Sequence, residues 1–464
     1  MTSGKVAVGV LSMLWLAGCG AAPRAAAGAP GQAARSDMGM AAPSPPPAAG
    51  APAAAAEPAM ASSPSLARGE AAKAASGEAA PRKPAPTLAV AQAGVRAGEW
   101  DDNANYRDFL GYLAQAQGLG VEALDVSNRR FLVVTDRGGN GVPSCKLRVS
   151  DPKTQRGVDL TTAASGRALF FPALYGLAAP KLEVSSSCLP GTNARVSFDT
   201  ARPDGVVRLE LGAARRDVSK PTLDVAFVLD TTGSMSEEIA AVQATLQTVL
   251  AKLDPKVAIR IGLVEYKDRG DSFVTKIHPL TADLRTLSLE IGAIAADGGG
   301  DTPEDVDAAL AKAVGELGWS EQAVARVAFL IADAPPHLDY SDSVPYGTSA
   351  KKAAERGIKL FTVSASGMDD RGQAVFRQLA QLTGGTNMFV LRGGAGPDST
   401  GGGDPKSSCG STHQNYASGN LDQLILGKIQ LELTSLKADP VRIPGLDEDE
   451  QAKPCERRVN VMAR

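Results

Sequence analysis

The chain has 464 residues and a formal net charge of −3 at pH 7, with 21% charged and 5% aromatic residues. This balance lacks the basic excess that proteins use against nucleic-acid phosphates, and so few aromatic residues indicate no base-stacking surface. The three histidines, His278, His337 and His413, are far apart in the sequence. We therefore expect no nucleic-acid partner, no histidine-based zinc site and no catalytic triad.

Residues 1–19 are typical of an export signal. Lys5 is followed by the apolar segment 6–16, which is too short to span a bilayer, and the segment ends in Leu-Ala-Gly-Cys19. This ending resembles the lipobox of bacterial lipoproteins, which implies a diacylglycerol on Cys19; an ordinary secretory signal is the alternative. We expect a lipid-anchored protein of the bacterial cell envelope. Gly20 after the cysteine favours the outer membrane, because the aspartate that favours inner-membrane retention is missing.

Two regions follow before the main folded part. Residues 20–98 are dominated by Ala, Pro, Gly and Ser, and we predict a disordered linker because few large apolar side chains offset the entropy of ordering. In residues 99–219 an amphipathic segment, 103–116, precedes short strand-like runs separated by Gly-, Asn- and Asp-rich turns. This pattern favours a small all-β sandwich. The stretch 129–172 resembles prealbumin-like or carboxypeptidase-regulatory-like domains, which implies a structural or adhesive module.

Residues 220–438 change to strand–helix alternation. Apolar runs such as 223–229, 257–266, 324–332 and 358–366 alternate with segments whose apolar residues recur at helical spacing. Buried strands that alternate with helices predict an α/β domain with a doubly wound, mostly parallel sheet. Residues 439–464 are interpreted as a C-terminal tail.

Oxygen-bearing side chains follow three of these predicted strands. Asp230, Thr232 and Ser234 come where the first strand ends, Thr302 begins a helix after a glycine-rich loop, and Asp333 ends a later strand. In an open α/β sheet, ligands bind beyond the carboxyl ends of the strands. Two carboxylates and three hydroxyls form an all-oxygen set that suits Mg²⁺ or Mn²⁺ better than Ca²⁺. The adjacent Asp301 competes with Thr302 as the second-loop ligand.

This set resembles the metal-ion-dependent adhesion site of von Willebrand factor A (VWA) domains. Asp230, Thr232 and Ser234 match the D-x-[ST]-x-S motif, Thr302 the threonine of the second loop and Asp333 the aspartate of the third. The resemblance covers roughly residues 221–436. It implies a Rossmann-like fold, a metal held directly or through water, and a protein partner whose acidic side chain completes the coordination.

The hypothesis is therefore a membrane-anchored, divalent-cation-dependent binding module that is not an enzyme. The alternatives are a structural envelope protein with an inert VWA fold and, least favoured, a hydrolase, because no G-x-S-x-G or H-E-x-x-H motif occurs. Residues Glu265 to Asp268 end a strand near the same edge and are candidates for the partner face, and His337 follows Asp333 closely.

Four cysteines remain beside Cys19, namely Cys145, Cys188, Cys409 and Cys455. An exported compartment permits disulfides, and four cysteines allow three pairings. Because the cysteines fall in two regions, pairings 145–188 and 409–455 are favoured; free buried thiols are the alternative.

The lipid anchor leads to a first prediction. Cys19→Ala removes the only acylation position of the proposed lipobox, so the protein should leave the membrane fraction on cell fractionation. A Cys409→Ala variant, which also removes one thiol, should stay with the membranes. Full membrane retention and unchanged processing of Cys19→Ala would contradict the lipoprotein assignment.

Overall fold

The computed structural model describes residues 95–365, 367–390 and 417–446, all within the unit Pro84–Arg464. Cys19, Cys409, Cys455 and the predicted linker up to residue 94 lie outside the described residues. None of the described helices is long and apolar enough to cross a membrane.

The described chain consists of strands, α-helices and two short 3₁₀ helices, Gln117–Leu119 and Gly233–Glu237. In chain order the strands are β1 (Arg96–Trp100), β2 (Arg129–Thr135), β3 (Lys146–Ser150), β4 (Gly157–Thr161), β5 (Arg167–Phe170), β6 (Lys181–Ser186), β7 (Ala194–Asp199), β8 (Asp204–Glu210), β9 (Thr222–Asp230), β10 (Ala258–Tyr266), β11 (Thr275–Thr281), β12 (Ala325–Ala332), β13 (Ile358–Ser364), β14 (Asn387–Val390) and β15 (Ala417–Asn420). The α-helices are α1 (Tyr106–Ala116), α2 (Ile239–Lys252), α3 (Leu284–Gly292), α4 (Val306–Glu316), α5 (Tyr346–Glu355), α6 (Asp370–Thr383) and α7 (Leu421–Ser435).

An eight-stranded sheet in the order β11-β10-β9-β12-β13-β14-β1-β15 forms the larger part of the fold. The neighbours β10, β9, β12, β13 and β14 are parallel, whereas β11 and β1 are antiparallel to their neighbours. Alternate residues of β9 pack in different cores: Val225 and Phe227 on one face, Ala226 and Val228 on the other. The prediction of a mostly parallel sheet between helices is confirmed.

β1 crosses the predicted boundary between residues 98 and 99 and lies inside the large sheet between β14 and β15. α1, predicted within the sandwich region, also packs with the α/β core through Phe109. The short β1 gave little sign of burial because it contains Glu99, which is 4% exposed and ion-paired with the buried Lys428 of α7. A charged residue in a short strand hides the apolar pattern that identifies a buried strand.

Two smaller sheets, β5-β2-β8 and β4-β3-β6-β7, begin at Arg129 and share one hydrophobic core. Residues such as Leu132 of β2 and Val184 of β6 meet in that core. The predicted pairing of Cys145 with Cys188 is present as a disulfide. The prealbumin-like resemblance of this region and the 409–455 bond stay predictions.

The position of β1 generates a second prediction. Trp100 is 8% exposed, its ring centroid lies 4.3 Å from that of Phe389, and the Arg377 guanidinium lies 4.7 Å above it. Trp100→Ala should lower the free energy of unfolding by about 3–5 kcal/mol, because it opens a cavity in the sheet packing. Urea denaturation measures this loss, and the exposed Leu289→Ala should change stability by less than about 0.5 kcal/mol. If Trp100→Ala and Leu289→Ala lower the free energy of unfolding by equally small amounts, the burial of β1 is contradicted.

Candidate metal centre

The candidate site lies where three neighbouring strands end. β9 ends at Asp230, β10 ends at Tyr266, and β12 ends one residue before Asp333. β9 lies between the other two and is parallel to both. The carboxyl ends of parallel strands meet at one edge of the sheet, where α/β proteins bind their ligands. The fold therefore brings the first and third predicted loops together.

Hydrogen bonds join four of the predicted ligands in a chain. The Thr232 hydroxyl donates to Asp230 Oδ1 at 2.7 Å, and the Thr232 amide donates to the same oxygen at 3.0 Å. The hydroxyls of Thr232 and Ser234 are 3.1 Å apart, and Ser234 Oγ donates to Asp333 Oδ1 at 3.0 Å. Two carboxylates and two hydroxyls thus converge at the sheet edge, as the sequence predicts.

Close backbone packing holds the first loop against the second. The Gly233 amide donates to the Gly298 carbonyl at 2.9 Å, and a Cβ atom on Gly233 would lie only 2.6 Å from that oxygen. Any larger residue at position 233 would therefore push the loops apart. Lys267, 1% exposed, donates through its ammonium to the Thr231 and Asp297 carbonyls and pairs with the Asp297 carboxylate at 2.6 Å. These contacts fix the loop that carries Thr232.

The two aspartates are buried acids. Asp230 is fully buried and Asp333 is 7% exposed. Burial, together with the nearby charge of Asp333, raises the pKa of Asp230 to about 7, although hydrogen bonds from Thr232 favour its ionised form. Burial also raises the pKa of Asp333. Both ionised carboxylates therefore need a compensating positive charge.

Glu304 is a third carboxyl group at the site, and it is not among the ligands predicted from the sequence. Burial first, and then the charges of Asp230 and Asp268, raise the pKa of Glu304 to about 8. Glu304 is 1% exposed, and its Oε2 has no hydrogen-bond partner among the described residues. Its backbone is held by a bond from its amide to the Pro335 carbonyl at 3.0 Å. The glycine-rich loop before Glu304 is the sequence feature that could have indicated this residue as part of the site.

Asp301 and Thr302, the predicted second-loop ligands, are both exposed. Within the described part of the chain, neither side chain takes part in the hydrogen bonds between Asp230, Thr232, Ser234 and Asp333. Glu304, by contrast, is buried and close enough to Asp230 for the charge of Asp230 to raise its pKa. A ligand role for Asp301 or Thr302 stays a prediction.

Three further residues near this edge of the sheet differ in whether they contact the predicted ligands. Tyr266 donates its hydroxyl to Asp230 Oδ2 at 3.3 Å, whereas Glu265 pairs with Lys276 at 2.9 Å and with His278 at 2.8 Å. His337 contacts Asp339 at 2.8 Å and stacks on Tyr340, with ring centroids 3.9 Å apart. His337 is therefore held beside the site by its own contacts and forms no hydrogen bond to the predicted ligands.

The residues present fit a hard divalent cation. The donors are carboxylate and hydroxyl oxygens, which Mg²⁺ and Mn²⁺ prefer, and Glu304 Oε2 is buried with no hydrogen-bond partner in the described part of the chain. No group of three or more His, Cys, Asp or Glu residues in the described ranges is placed to hold a metal. The hydroxyls of Thr232 and Ser234 would therefore have to contribute to any metal site here.

One protein-family model matches part of the chain. Residues 224–393 match the von Willebrand factor type A domain. A viral protein named "Putative ariadne-like RING finger protein R811", from Acanthamoeba polyphaga mimivirus, is 29% identical over 120 residues, which are 26% of this chain and 12% of that protein. This chain therefore spans about an eighth of the length of that curated relative.

Two solved structures match parts of this chain at 14% identity. Conserved hypothetical protein BatB from Bacteroides thetaiotaomicron has a TM-score of 0.31, over 46% of this chain and 98% of that one. Proximal thread matrix protein 1 from the mussel byssus has a TM-score of 0.28, over 35% and 39% of the two chains. The family match and the mixed, mostly parallel sheet agree: residues 224–393 of this chain form a von Willebrand factor type A domain.

Proposed function

We propose that this protein is a divalent-cation-dependent protein-binding module, acting in adhesion or as a scaffold. A VWA domain itself suggests a protein-interaction or adhesion role. The hydrogen-bonded chain Asp230–Thr232–Ser234–Asp333 at the carboxyl edge of the sheet is the observation that carries the proposal. We propose Mg²⁺ or Mn²⁺ as the cation, with Ca²⁺ less suitable because the set offers few carboxylates.

The charge of the donor set supports a role in binding. Asp230 and Asp333 are buried beside each other, and the donors between them are neutral hydroxyls. A bound cation would supply a positive centre that accepts an oxygen from an acidic side chain of a partner protein. Asp230, Thr232, Ser234 and Asp333 would hold the cation, directly or through water. The proposal requires no catalytic base, and we assign no enzymatic activity.

The location proposed from the sequence fits this role. A lipid on Cys19 and the segment up to residue 94 would attach the module to the bacterial envelope, with the outer membrane favoured. The described residues begin at position 95, so this part of the proposal rests on the amino-acid sequence alone.

The third prediction tests the cation. Asp230→Asn keeps the size of the side chain but removes a buried charge, so it should abolish the rise in melting temperature that Mg²⁺ produces. Without metal, the variant should be at least as stable as the native protein, because a desolvated negative charge has gone. At a Mg²⁺ concentration of about 100 times Kd, the native protein should gain about 2.7 kcal/mol.

The matched control is Asp254→Asn. Asp254 is exposed, accepts a hydrogen bond from the Lys256 amide at 2.9 Å, and precedes β10 at the amino end of the sheet. Its Mg²⁺ response should equal that of the native protein. If calorimetry detects neither Mg²⁺ nor Mn²⁺ binding to the native protein, the proposed centre does not exist.

The fourth prediction concerns Glu304. Glu304→Gln removes the third buried carboxylate from the neighbourhood of Asp230, so it should weaken Mg²⁺ binding by about tenfold, the effect of about 1.4 kcal/mol. Isothermal titration calorimetry measures the change, and Asp301→Asn and Thr302→Val are measured beside it. If Glu304→Gln leaves the Mg²⁺ affinity unchanged and Thr302→Val clearly lowers it, Thr302 rather than Glu304 is the second-loop ligand.

A further inference from the structure

A groove of about 780 Å³ lies between the four-stranded sheet and the amino end of β12. Its walls come from β3, β4 and β6 on one side and from the residues around Trp319 and Arg326 on the other. The candidate metal centre lies beyond the carboxyl ends of β9 and β12, so this groove at the amino end of β12 is a separate site. A volume of this size falls within the range of about 300–1,000 Å³ typical of ligand sites.

The groove is unusually rich in cationic side chains. Five cationic and three acidic side chains line it, an excess of two positive charges: Lys146, Arg148, Arg216, Arg326 and Arg356, against Asp159, Glu321 and Glu355. Two of the cations are already paired, because Lys146 contacts Glu321 and Arg148 contacts Asp159, each at 3.0 Å. The positive excess therefore belongs to the three remaining arginines.

Arg326 is the most buried of these arginines, at 5% exposure. Its Nε donates to the Ser320 carbonyl at 2.8 Å, and its NH2 group lies 3.4 Å from the Ser144 hydroxyl. Within the described residues, no carboxylate lies within salt-bridge distance of its guanidinium. Asp224, the residue opposite Arg326 on β9, is paired with Arg260 at 2.6 Å. Buried charges in proteins are normally paired, so a buried guanidinium at a groove wall, with no carboxylate at salt-bridge distance among the described residues, indicates a place for an anion.

Arg356 adds a second guanidinium in the same neighbourhood. It follows α5, donates through NH1 to the Val314 carbonyl at the end of α4, and also has no carboxylate partner within the described ranges. Burial lowers the pKa of Arg326; the negative charge of Asp224 opposes this effect, the positive charge of Arg356 adds to it, and Glu321 opposes it to a smaller extent. The two like charges are therefore close enough to repel each other, and an anion between them would relieve that repulsion.

We propose that this groove binds a polar ligand through an oxyanion group, a carboxylate or a phosphate, held by Arg326 and Arg356. Guanidinium groups recognise both anions through paired N–H donors, which a lysine ammonium cannot reproduce. Ser185, Ser187 and Asn193 also line the groove and supply polar groups for the rest of the ligand. The module thus has an anion site at the amino ends of its parallel strands, in addition to the proposed cation site at their carboxyl ends.

The test uses the full chain purified in detergent, with chelator present so that no divalent cation contributes. Inorganic phosphate and succinate are the two probes, each titrated against sodium chloride at constant ionic strength to remove general screening. One or both probes should raise the melting temperature of the native protein in a saturable manner. The probe that acts at lower concentration identifies the oxyanion as phosphate or carboxylate.

Variants locate the binding. Arg356→Gln should weaken the response to the active probe by about tenfold or more, and Arg356→Lys should recover only part of it, because the paired donors are lost. Arg208→Gln, an exposed arginine of β8 outside the groove, is the charge-matched control and should respond like the native protein. Circular dichroism and an unchanged melting temperature in the absence of probe show that the variants are folded.

Two outcomes would overturn the proposal. One is a native protein that neither probe stabilises, and the other is an equal loss in Arg356→Gln and Arg208→Gln. The Mg²⁺ response is measured separately, so failure of the anion site leaves the proposed cation site unaffected, and the reverse also holds.

Discussion

The arrangement at the sheet edge depends on the cost of placing buried carboxyl groups beside one another. Asp230, Asp333 and Glu304 are each less than 10% exposed, and burial raises the pKa of all three. Selection for stability alone would replace these carboxyl groups with neutral side chains, because desolvated like charges oppose folding. The convergence is understandable if a divalent cation binds there and offsets the repulsion.

The rest of the domain holds these groups in place. Parallel strands bring the loops after β9 and β12 to one edge, and the apolar core residues on both sheet faces keep that edge rigid. Lys267 and the close approach of Gly233 to Gly298 attach the first loop to the second. The donor atoms are therefore supported by backbone contacts rather than by the cation alone, which favours a site that is organised before it binds.

Sequence patterns predicted the parts of the structure that repeat a simple rule. The apolar runs of β9 and β12 predicted a parallel sheet, and Asp230, Thr232, Ser234 and Asp333 could be predicted because each lies at or just after a strand end. The sequence did not predict that β1 belongs to the large sheet, because the burial of Glu99 depends on its ion pair with Lys428. That partner is more than 300 positions away in the chain. The sequence did not predict Glu304 as a site residue, because its burial depends on how the second loop folds against Pro335. Both misses come from long-range contacts that local periodicity does not contain.

The central claim, that a cation recruits a protein partner, is tested most directly by capture from envelope extract. The full chain is immobilised in detergent, and bound proteins are quantified by mass spectrometry in Mg²⁺, in chelator, and with Asp230→Asn in Mg²⁺. The account predicts a partner that is retained by the native chain in Mg²⁺ and released both by chelator and by the substitution. A partner retained equally under all three conditions would contradict cation-dependent binding, even if the VWA domain contacts that protein.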